Sequence, residues 1–235
     1  PRHEAAAERK RMDVLAADDG VRVERHSMSG APCSVRGKGL GLKRAFSAGK
    51  GMALKGGGNY ETDAVAVMDN LSGIFGLKDA TAELAAWRTD DDGLGFHHVR
   101  LSQLHGGLRV VGGDLIVHFD KDGDAYEVNG RYVPAISLKT EPKIGPADAT
   151  AAAVADLAAV EAPVDALPLK AELVVYALRG DPALAYELTV PSVRGKSGPG
   201  RWRYWIDALD GTVLLRFNDI KKIAAPTANG SDATI

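Results

Sequence analysis

The side chains of this sequence that could bind a metal or attack a substrate are six histidines, the acidic residues and a single cysteine. A catalytic zinc site on a helix needs two histidines one turn apart, with a carboxylate between them. His3 and Glu4 begin such a motif, but Ala7 occupies the place of the second histidine. His97 and His98 are adjacent, so on a strand their side chains point to opposite faces. We therefore predict that this chain has no metal site, and these residues identify no catalytic residue; that the chain is not an enzyme is implied only by the family resemblance described below.

Three other segments resemble functional sites in part. Residues 120–124 alternate acidic side chains as a calcium loop does, but their glycine is fourth where an EF-hand needs it sixth, and a hairpin turn explains them better. The glycines of residues 37–41 have neither the dinucleotide nor the P-loop spacing. Cys33 has no partner for an intramolecular disulfide, and its neighbours do not indicate a nucleophile. We expect none of the three to be a site.

The overall charge of the chain is nearly balanced. The 235 residues carry a net charge of −2 with a pI near 6.4, so we expect neither nucleic acid nor an anionic membrane as a partner. No apolar run reaches the roughly 20 residues that a membrane span needs. A local basic patch extends from Arg36 to Lys55 without an acidic residue. A solvated loop is the simplest interpretation of this patch, and docking on an acidic protein surface or on nucleic acid are the alternatives.

Two segments are predicted to be helical. The first begins at Asn59, a suitable N-cap, and ends at Gly76, which favours the left-handed conformation of a helix end. Between them, apolar residues recur at helical spacing: Ala64, Val67, Met68, Leu71, Ile74 and Phe75. The second helix begins at Pro146 and continues through the alanine-rich residues 147–159. Residues 1–19 are charged and rich in alanine, and we predict a flexible leader there, either a frayed helix or a disordered segment.

Short apolar segments separated by turn dipeptides predict two antiparallel sheets. The first set of strands covers residues 84–88, 95–104, 110–120, 125–128 and 131–133. The second set covers residues 171–178, 184–191, 201–208 and 212–217. Prolines between residues 138 and 146 indicate a linker, and residues 221–235 are polar and predicted to form an extended tail. The predicted fold class is therefore α+β, with two domains that each consist of an antiparallel sheet with flanking helices.

The predicted hairpin around residues 99–119 resembles the core of the FTP domain, the fungalysin/thermolysin propeptide module. The resemblance rests on Arg100, Gln103, Gly106, Val110, Gly112, Gly113, Asp114 and His118, and it extends to residues 23–32, 71–77 and 126–134. Two features depart from the family pattern: His105 stands where an aromatic is common, and Cys33 and Ser34 replace a more apolar pair. We expect the signature residues to shape the core of the domain rather than to perform chemistry.

The second half of the chain is similar to a PepSY domain, which has a cystatin-like sheet and helix. This weaker resemblance rests on the helix entry at Pro142 and residues 144–149, and on Tyr186, Trp205, Asp207 and Gly211. The two resemblances together imply an FTP-like domain at residues 20–138, a PepSY-like domain at residues 139–220, and a tail at residues 221–235.

A chain of this kind is implied to be the pro-region of a secreted thermolysin-like metalloprotease, acting as a folding template and inhibitor that self-processing removes. The implied partner is the catalytic domain of that protease, and zinc and calcium are expected only there. The implied inhibitory and cleavage region comprises Lys221, Lys222, Ile223, Ala224, Ala225, Pro226 and Ile235. Ile223 and Ile235 are candidates for the bulky apolar residue that follows the cut bond.

Two alternatives remain open from the sequence. A stand-alone secreted binding or inhibitory module would have no linked catalytic domain, and the codons that follow Ile235 distinguish it from a precursor. A nucleic-acid-binding domain would use the basic patch at Arg36 to Lys55 and would bind heparin or DNA in a strongly salt-dependent manner.

Overall fold

A computed structural model of the protein describes residues 2–27, 29–41, 59–161, 170–192, 196 and 198–220. The helices are α1 (Arg2–Asp18), α2 (Tyr60–Asn70), α3 (Ser72–Phe75), α4 (Ala80–Glu83) and α5 (Pro146–Val160). The first six strands are β1 (Arg22–Arg25), β2 (Pro32–Arg36), β3 (Leu84–Asp91), β4 (His97–His105), β5 (Leu108–Phe119) and β6 (Ala125–Gly130). The remaining strands are β7 (Glu172–Tyr176), β8 (Ala183–Ser192), β9 (Gly200–Asp207) and β10 (Val213–Asn218). The mixed α+β class predicted from the sequence is confirmed.

The chain divides into two compact units. The first contains Pro1–Glu141 and Val174–Ala185, and the second contains Pro142–Leu173 and Tyr186–Ile235. β7 and β8 therefore each have residues in both units. The sequence alone placed the predicted domain boundary at residues 138 and 139, without the return of Val174–Ala185 to the first unit.

In the first unit, six strands pair antiparallel in the order β1-β2-β6-β5-β4-β3. The prediction of a purely antiparallel sheet is wrong in one respect, because β5 also pairs with β7 in parallel. The apolar side chains of alternate strand positions, such as Val99, Leu101 and Val117, point to the same face, because neighbours along a strand point to opposite faces. Helix α2 supplies Val67 and Met68 to the same core. Burial of this face is the main source of stability for the unit.

Local signals explain the ends of the helices in the first unit. The Asn59 side chain accepts a hydrogen bond from Thr62 N at 3.1 Å and thereby caps α2, as predicted. Gly76 ends α3 in the left-handed conformation with φ of 76°. The predicted single helix is divided in two at Leu71, which is the C-cap of α2 and the N-cap of α3. Asp79 caps α4, which the sequence analysis missed.

Residues 1–19 were predicted to be a flexible leader, but the structure forms α1 over most of them. Ala16 is fully buried, and Met12 and Leu15 pack against the core of the first unit. Asp13 also accepts hydrogen bonds from the Arg25 guanidinium at 2.7–3.0 Å, which ties the helix to β1. These contacts are with residues that are distant in sequence, so the composition of the segment could not reveal them.

The second unit contains α5 and the neighbouring strands β8, β9 and β10, with β9 and β10 antiparallel. Ala149, Ala153 and Leu157 form the buried stripe of α5, each four residues after the last, as on one face of an amphipathic helix. Pro146 occupies the first turn, where its missing N–H is not needed. Among the described residues, no helix is long and apolar enough to cross a membrane.

Candidate functional site

The FTP signature residues lie where β5 changes its partner. Ser102 pairs with Asp114 and Leu104 pairs with Arg109, so Gln103 alone faces the four residues 110–113 of β5. Two residues of that stretch pair instead with β7 in parallel register, Val110 with Val175 and Val111 with Tyr176. We call residues 110–113 the crossover. A bulge of this size bends the strand and frees its backbone groups for another partner.

The glycines of the crossover are there because side chains would not fit. A Cβ on Gly113 would lie 2.6 Å from Gln103 Oε1 and 2.9 Å from Gln103 Cβ. Gly112 has a φ of 91°, and a Cβ there would lie 3.0 Å from Leu178 Cδ2. The pair of glycines in the signature is thus explained by one close approach and one left-handed backbone conformation.

Gln103 binds the chain that follows β6. It is 2% exposed, its Nε2 donates to Val133 O at 2.8 Å, and its Oε1 accepts from Val133 N at 2.9 Å. This segment was predicted to be a strand at residues 131–133, but it is not one. Its backbone pairs with a side chain instead of a ladder, apart from Arg131 N, which donates to Asp114 O at 2.8 Å.

Two further positions of the β4–β5 hairpin contact the same segment, which we call the exit segment (residues 131–140). His105 Nε2 lies 2.9 Å from Leu138 O, and a Cβ on Gly106 would lie 3.0 Å from Thr140 Cγ2. Gln103 and Gly106 of the signature therefore both lie against the exit segment, which Gln103 binds through two hydrogen bonds. His105, which departs from the family pattern, also contacts this segment.

Arg100, Asp114 and His118 lie on the other face of the sheet, whereas Val110 is buried beside Val133 and Leu138. Arg100 Nε donates to Asp90 Oδ2 at 3.0 Å, and this bond lowers the pKa of Asp90. Asp114 accepts from Ser102 Oγ at 3.0 Å. Arg100 is half exposed whereas Gln103 is buried, as expected for side chains an odd number of positions apart.

His118 faces His98 across β4 and β5, with their Nδ1 atoms 2.7 Å apart. At this distance one ring donates and the other accepts, so the pair requires at least one neutral imidazole. Burial lowers the pKa of His118, and the charges of His98 and Arg36 act in the same direction, while Asn129 and Glu127 oppose them.

This environment predicts a pH dependence of stability. The folded protein binds a proton at His118 more weakly than the unfolded chain does. The contribution of neutral His118 to the free energy of unfolding is therefore complete above about pH 6.5, and it is lost as the pH falls through the lowered pKa. Urea titrations from pH 8 to pH 5 should show a smaller decline for His118→Gln than for the wild type. His26→Gln, at an exposed histidine, is the control and should keep the wild-type slope. Equal slopes in all three proteins would contradict the assignment.

Several contacts of the first unit were missed by sequence reasoning. Tyr132 OH donates to a carboxylate oxygen of Glu83, whose other oxygen accepts from the N–H groups of Lys78 and Asp79 at 3.0 Å. Burial and this carboxylate raise the pKa of Tyr132. Arg131 Nη1 donates to Ala177 O at 2.7 Å. The partners in the Tyr132–Glu83 and Arg131–Ala177 contacts are more than 40 residues apart, and no local pattern indicates them.

The signature residues of the second unit take part in hydrogen bonds and packing within that unit. Tyr186 OH donates to Ile144 O at 3.1 Å, just before α5. Asp207 and Gly211 form the β9–β10 turn through the bond from Gly211 N to Asp207 O at 3.0 Å. Trp205 is 1% exposed, its ring stacks on Phe217 at 5.7 Å, and the Arg203 guanidinium lies 5.0 Å from its centroid.

A partly buried ion pair in the second unit joins α5 to two strands. Asp156 accepts from Arg216 Nη1 at 2.6 Å and from Tyr204 OH at 2.9 Å. Tyr204 is fully buried, and burial together with the bond to Asp156 raises its pKa. The sequence analysis did not identify this cluster, because its members lie 12 to 60 residues apart.

The structure describes only part of the other segments that were considered from the sequence. In the described ranges, no group of three histidine, cysteine or acidic side chains is arranged to hold a metal ion. Cys33 is a free thiol whose Sγ lies 3.4 Å from Glu24 O. Arg36, at the start of the basic patch, forms an ion pair with Glu127 at 2.8 Å. The rest of the patch from residue 42, and the proposed tail at residues 221–235, lie outside the described residues.

Comparison with known proteins supports the resemblance. The family model described as the Fungalysin/Thermolysin Propeptide Motif matches residues 82–132. The chain carries an FTP motif. The match begins just before β3, contains Gln103 and the whole crossover, and ends at Tyr132, next to the residue that Gln103 binds. The predicted resemblance to a thermolysin-family propeptide is confirmed.

Relatives that are similar to this chain in sequence are named thermolysin and bacillolysin. Thermolysin from Alicyclobacillus acidocaldarius subsp. acidocaldarius is 32% identical over 177 residues, which are 72% of this chain and 32% of the relative. Bacillolysin from Brevibacillus brevis is 30% identical over 137 residues, 54% of this chain and 25% of the relative. The chain therefore spans about a third or less of the length of these relatives. The motif and the relatives support the role of a non-catalytic protease propeptide.

One solved structure is also similar. The Bacillus megaterium YpeB C-terminal domain aligns with 84% of this chain and 76% of its own, at 13% sequence identity and a TM-score of 0.36. This superposition is too loose to establish a common fold.

Proposed function

We propose that this chain is the pro-region of a thermolysin-like metalloprotease, and that it promotes folding of the catalytic domain and inhibits it until self-processing removes it. The match of the FTP motif to residues 82–132 carries the proposal. The similarity to thermolysins and bacillolysins over 72% and 54% of the chain supports it. In such a precursor, zinc and calcium are bound by the catalytic domain, and the whole protein is secreted.

The described signature residues fit a scaffold. Gln103, Gly113 and Trp205 are enclosed by packing and hydrogen bonds, so they are unavailable to a substrate. A protease whose fold depends on long-range contacts folds slowly. A rigid pro-region that binds the native surface of the catalytic domain lowers this folding barrier. We propose that the first unit is an FTP domain and the second a PepSY domain with a cystatin-like sheet.

We propose that the tail at residues 221–235 is the segment that inhibits the catalytic domain. In the sequence it follows β10, which ends at Asn218. An extended peptide can lie in a protease cleft through strand-like backbone hydrogen bonds. In this arrangement Ile223 and Ile235 are the candidates for the apolar residue that follows the cut bond.

Inhibition of the cognate protease tests the proposal. We expect the full chain to inhibit the separately purified catalytic domain, and a variant that ends at Ile220 to lose most of this inhibition while retaining its circular dichroism spectrum. A matched control keeps the composition of residues 221–235 but scrambles their order, and it should inhibit no better than the truncated chain.

Two outcomes would contradict the proposal at different levels. Full inhibition by the truncated or the scrambled chain would exclude the tail mechanism and leave the propeptide role intact. A failure of the full chain both to inhibit the catalytic domain and to accelerate its refolding from denaturant would exclude the propeptide role itself.

A further inference from the structure

The first unit contains a groove that the propeptide role does not use. It has a volume of about 400 Å³ and lies between α1, the turn before β2, the end of α3 and the start of the exit segment. Its apolar walls are formed mainly by Met12, Pro32, Ile74, Phe75, Val133 and Pro134. Volume and lining are those of a small-molecule site, which is concave, mostly apolar and provided with a few polar groups.

The polar groups at the groove are mostly cationic. Arg9, Arg25 and Arg131 line it, together with Glu8. Arg25 is neutralised by Asp13 at 2.7 Å, and Glu8 lies 3.7 Å from Arg11. Arg131 donates to a neutral carbonyl, Ala177 O, and in the described part of the chain neither Arg9 nor Arg131 forms an ion pair with a carboxylate. With three arginines and one glutamate, the lining of the groove therefore carries a net positive charge.

Arg9 is placed to use its charge at the groove. Its Cζ would lie 3.3 Å from a Cβ on Gly30, so the guanidinium reaches from α1 across to the turn before β2. A guanidinium offers several N–H donors in a planar fork that matches the two oxygens of a carboxylate. The geometry thus places a carboxylate-binding group at the edge of an apolar cleft.

Several backbone groups of the groove walls are already hydrogen-bonded within the protein. Val133 N–H and C=O are both bonded to the Gln103 side chain. Gly30 O accepts from Arg25 Nη1, and Ala31 O accepts from His26 N. A peptide that entered the groove would therefore find few partners for its own amides, and burying an unpaired amide is costly. A ligand with an apolar body and no polar group besides its anionic end suits the walls better.

We propose that this groove binds an alkyl carboxylate of the medium-chain fatty acid type. The carboxylate contacts Arg9, with Arg131 as a second positive charge, and the chain lies against the apolar walls. Because the walls come from α1, α3 and the exit segment, a bound ligand joins these three parts. It stabilises the folded first unit in proportion to the logarithm of the ligand concentration. This inference is independent of the inhibitory role.

Titration calorimetry with the full chain tests the proposal, using decanoate below its micelle concentration and decanamide as its neutral twin. We expect decanoate to bind with one-site stoichiometry and decanamide to bind about tenfold more weakly or worse, because the amide loses the charge-assisted bonds. Arg9→Gln should weaken decanoate about tenfold and leave decanamide unchanged. Lys10→Gln, at an exposed position on the same helix and outside the groove, is the matched control and should bind decanoate like the wild type.

A second variant addresses the apolar walls. Ala31→Phe fills the groove and should abolish binding of both probes, while the circular dichroism spectrum stays that of the wild type. Equal affinities for decanoate and decanamide, or an unchanged affinity in Arg9→Gln, would overturn the proposal, as would the absence of any decanoate binding. Tighter binding of N-acetyl-phenylalanine than of decanoate would show a peptide-terminus site instead, and would also overturn it.

Discussion

Replacing Gly130 by alanine is expected to lower the free energy of unfolding of the first unit by more than about 4 kcal/mol, an exceptional loss for one methyl group. The added Cβ would lie 2.3 Å from Asp114 O and 2.9 Å from Leu115 Cα. Both are backbone atoms of the neighbouring strand, so no side chain can move aside to relieve the clash. The φ of 126° at Gly130 adds backbone strain for any L-residue.

Urea denaturation of Gly130→Ala measures this loss. The matched control is Gly93→Ala, which makes the same change at a φ of 74° with no atom within 4 Å of the new Cβ. The control should cost about 1–2 kcal/mol, the strain of a left-handed residue alone. If the two variants lose equal stability, the close approach of β5 to Gly130 is not what requires the glycine.

Replacing Gln103 by alanine should cost the first unit about 3 kcal/mol or more. The change leaves both the N–H and the C=O of Val133 without their partner, and each buried polar group left unpaired costs about 1–3 kcal/mol. The lost contacts of the buried side chain add to this cost. Urea denaturation provides the measurement. A loss below about 1 kcal/mol would show that water replaces the side chain and that Gln103 does not hold the exit segment.

Gln103→Glu separates hydrogen bonding from packing at the same position, because it retains the shape of the side chain. At neutral pH the carboxylate still accepts from Val133 N but faces Val133 O without a proton to donate. At acidic pH the protonated carboxyl can donate to that oxygen. The stability difference between Gln103→Glu and the wild type, compared at equal pH, should therefore shrink from pH 8 to pH 5. A constant difference would contradict the two-bond arrangement.

Many elements of the fold followed from local patterns. The turn glycines and the alternation of apolar residues predicted β4 and β5 to within three residues at each end, and Pro146 with the alanines after it predicted α5. These signals are local, because a helix cap or a hairpin turn is decided by residues within a few positions of one another.

The errors arose where distant residues decide the structure. The segment at residues 131–133 has the composition of a strand, but Gln103, 30 residues earlier, takes the place of a ladder partner. The charged segment at the start of the chain forms α1, because Ala16 packs in the core of the first unit and Asp13 accepts hydrogen bonds from Arg25. Val174–Ala185 joined the first unit because β7 pairs with β5 more than 60 residues away.

The sequence by itself determined the FTP motif, the α+β class and the absence of a zinc-protease motif in this chain, because each depends on residue types at fixed spacing. Only the tertiary structure shows which parts of the fold the residues of the motif contact. The paired glycines and Gln103 form the point where β5 leaves β4 and where the exit segment is held. The groove beneath Arg9 likewise exists only after folding, since its walls come from four separate parts of the chain. Long-range packing, which periodicity does not encode, brings them together.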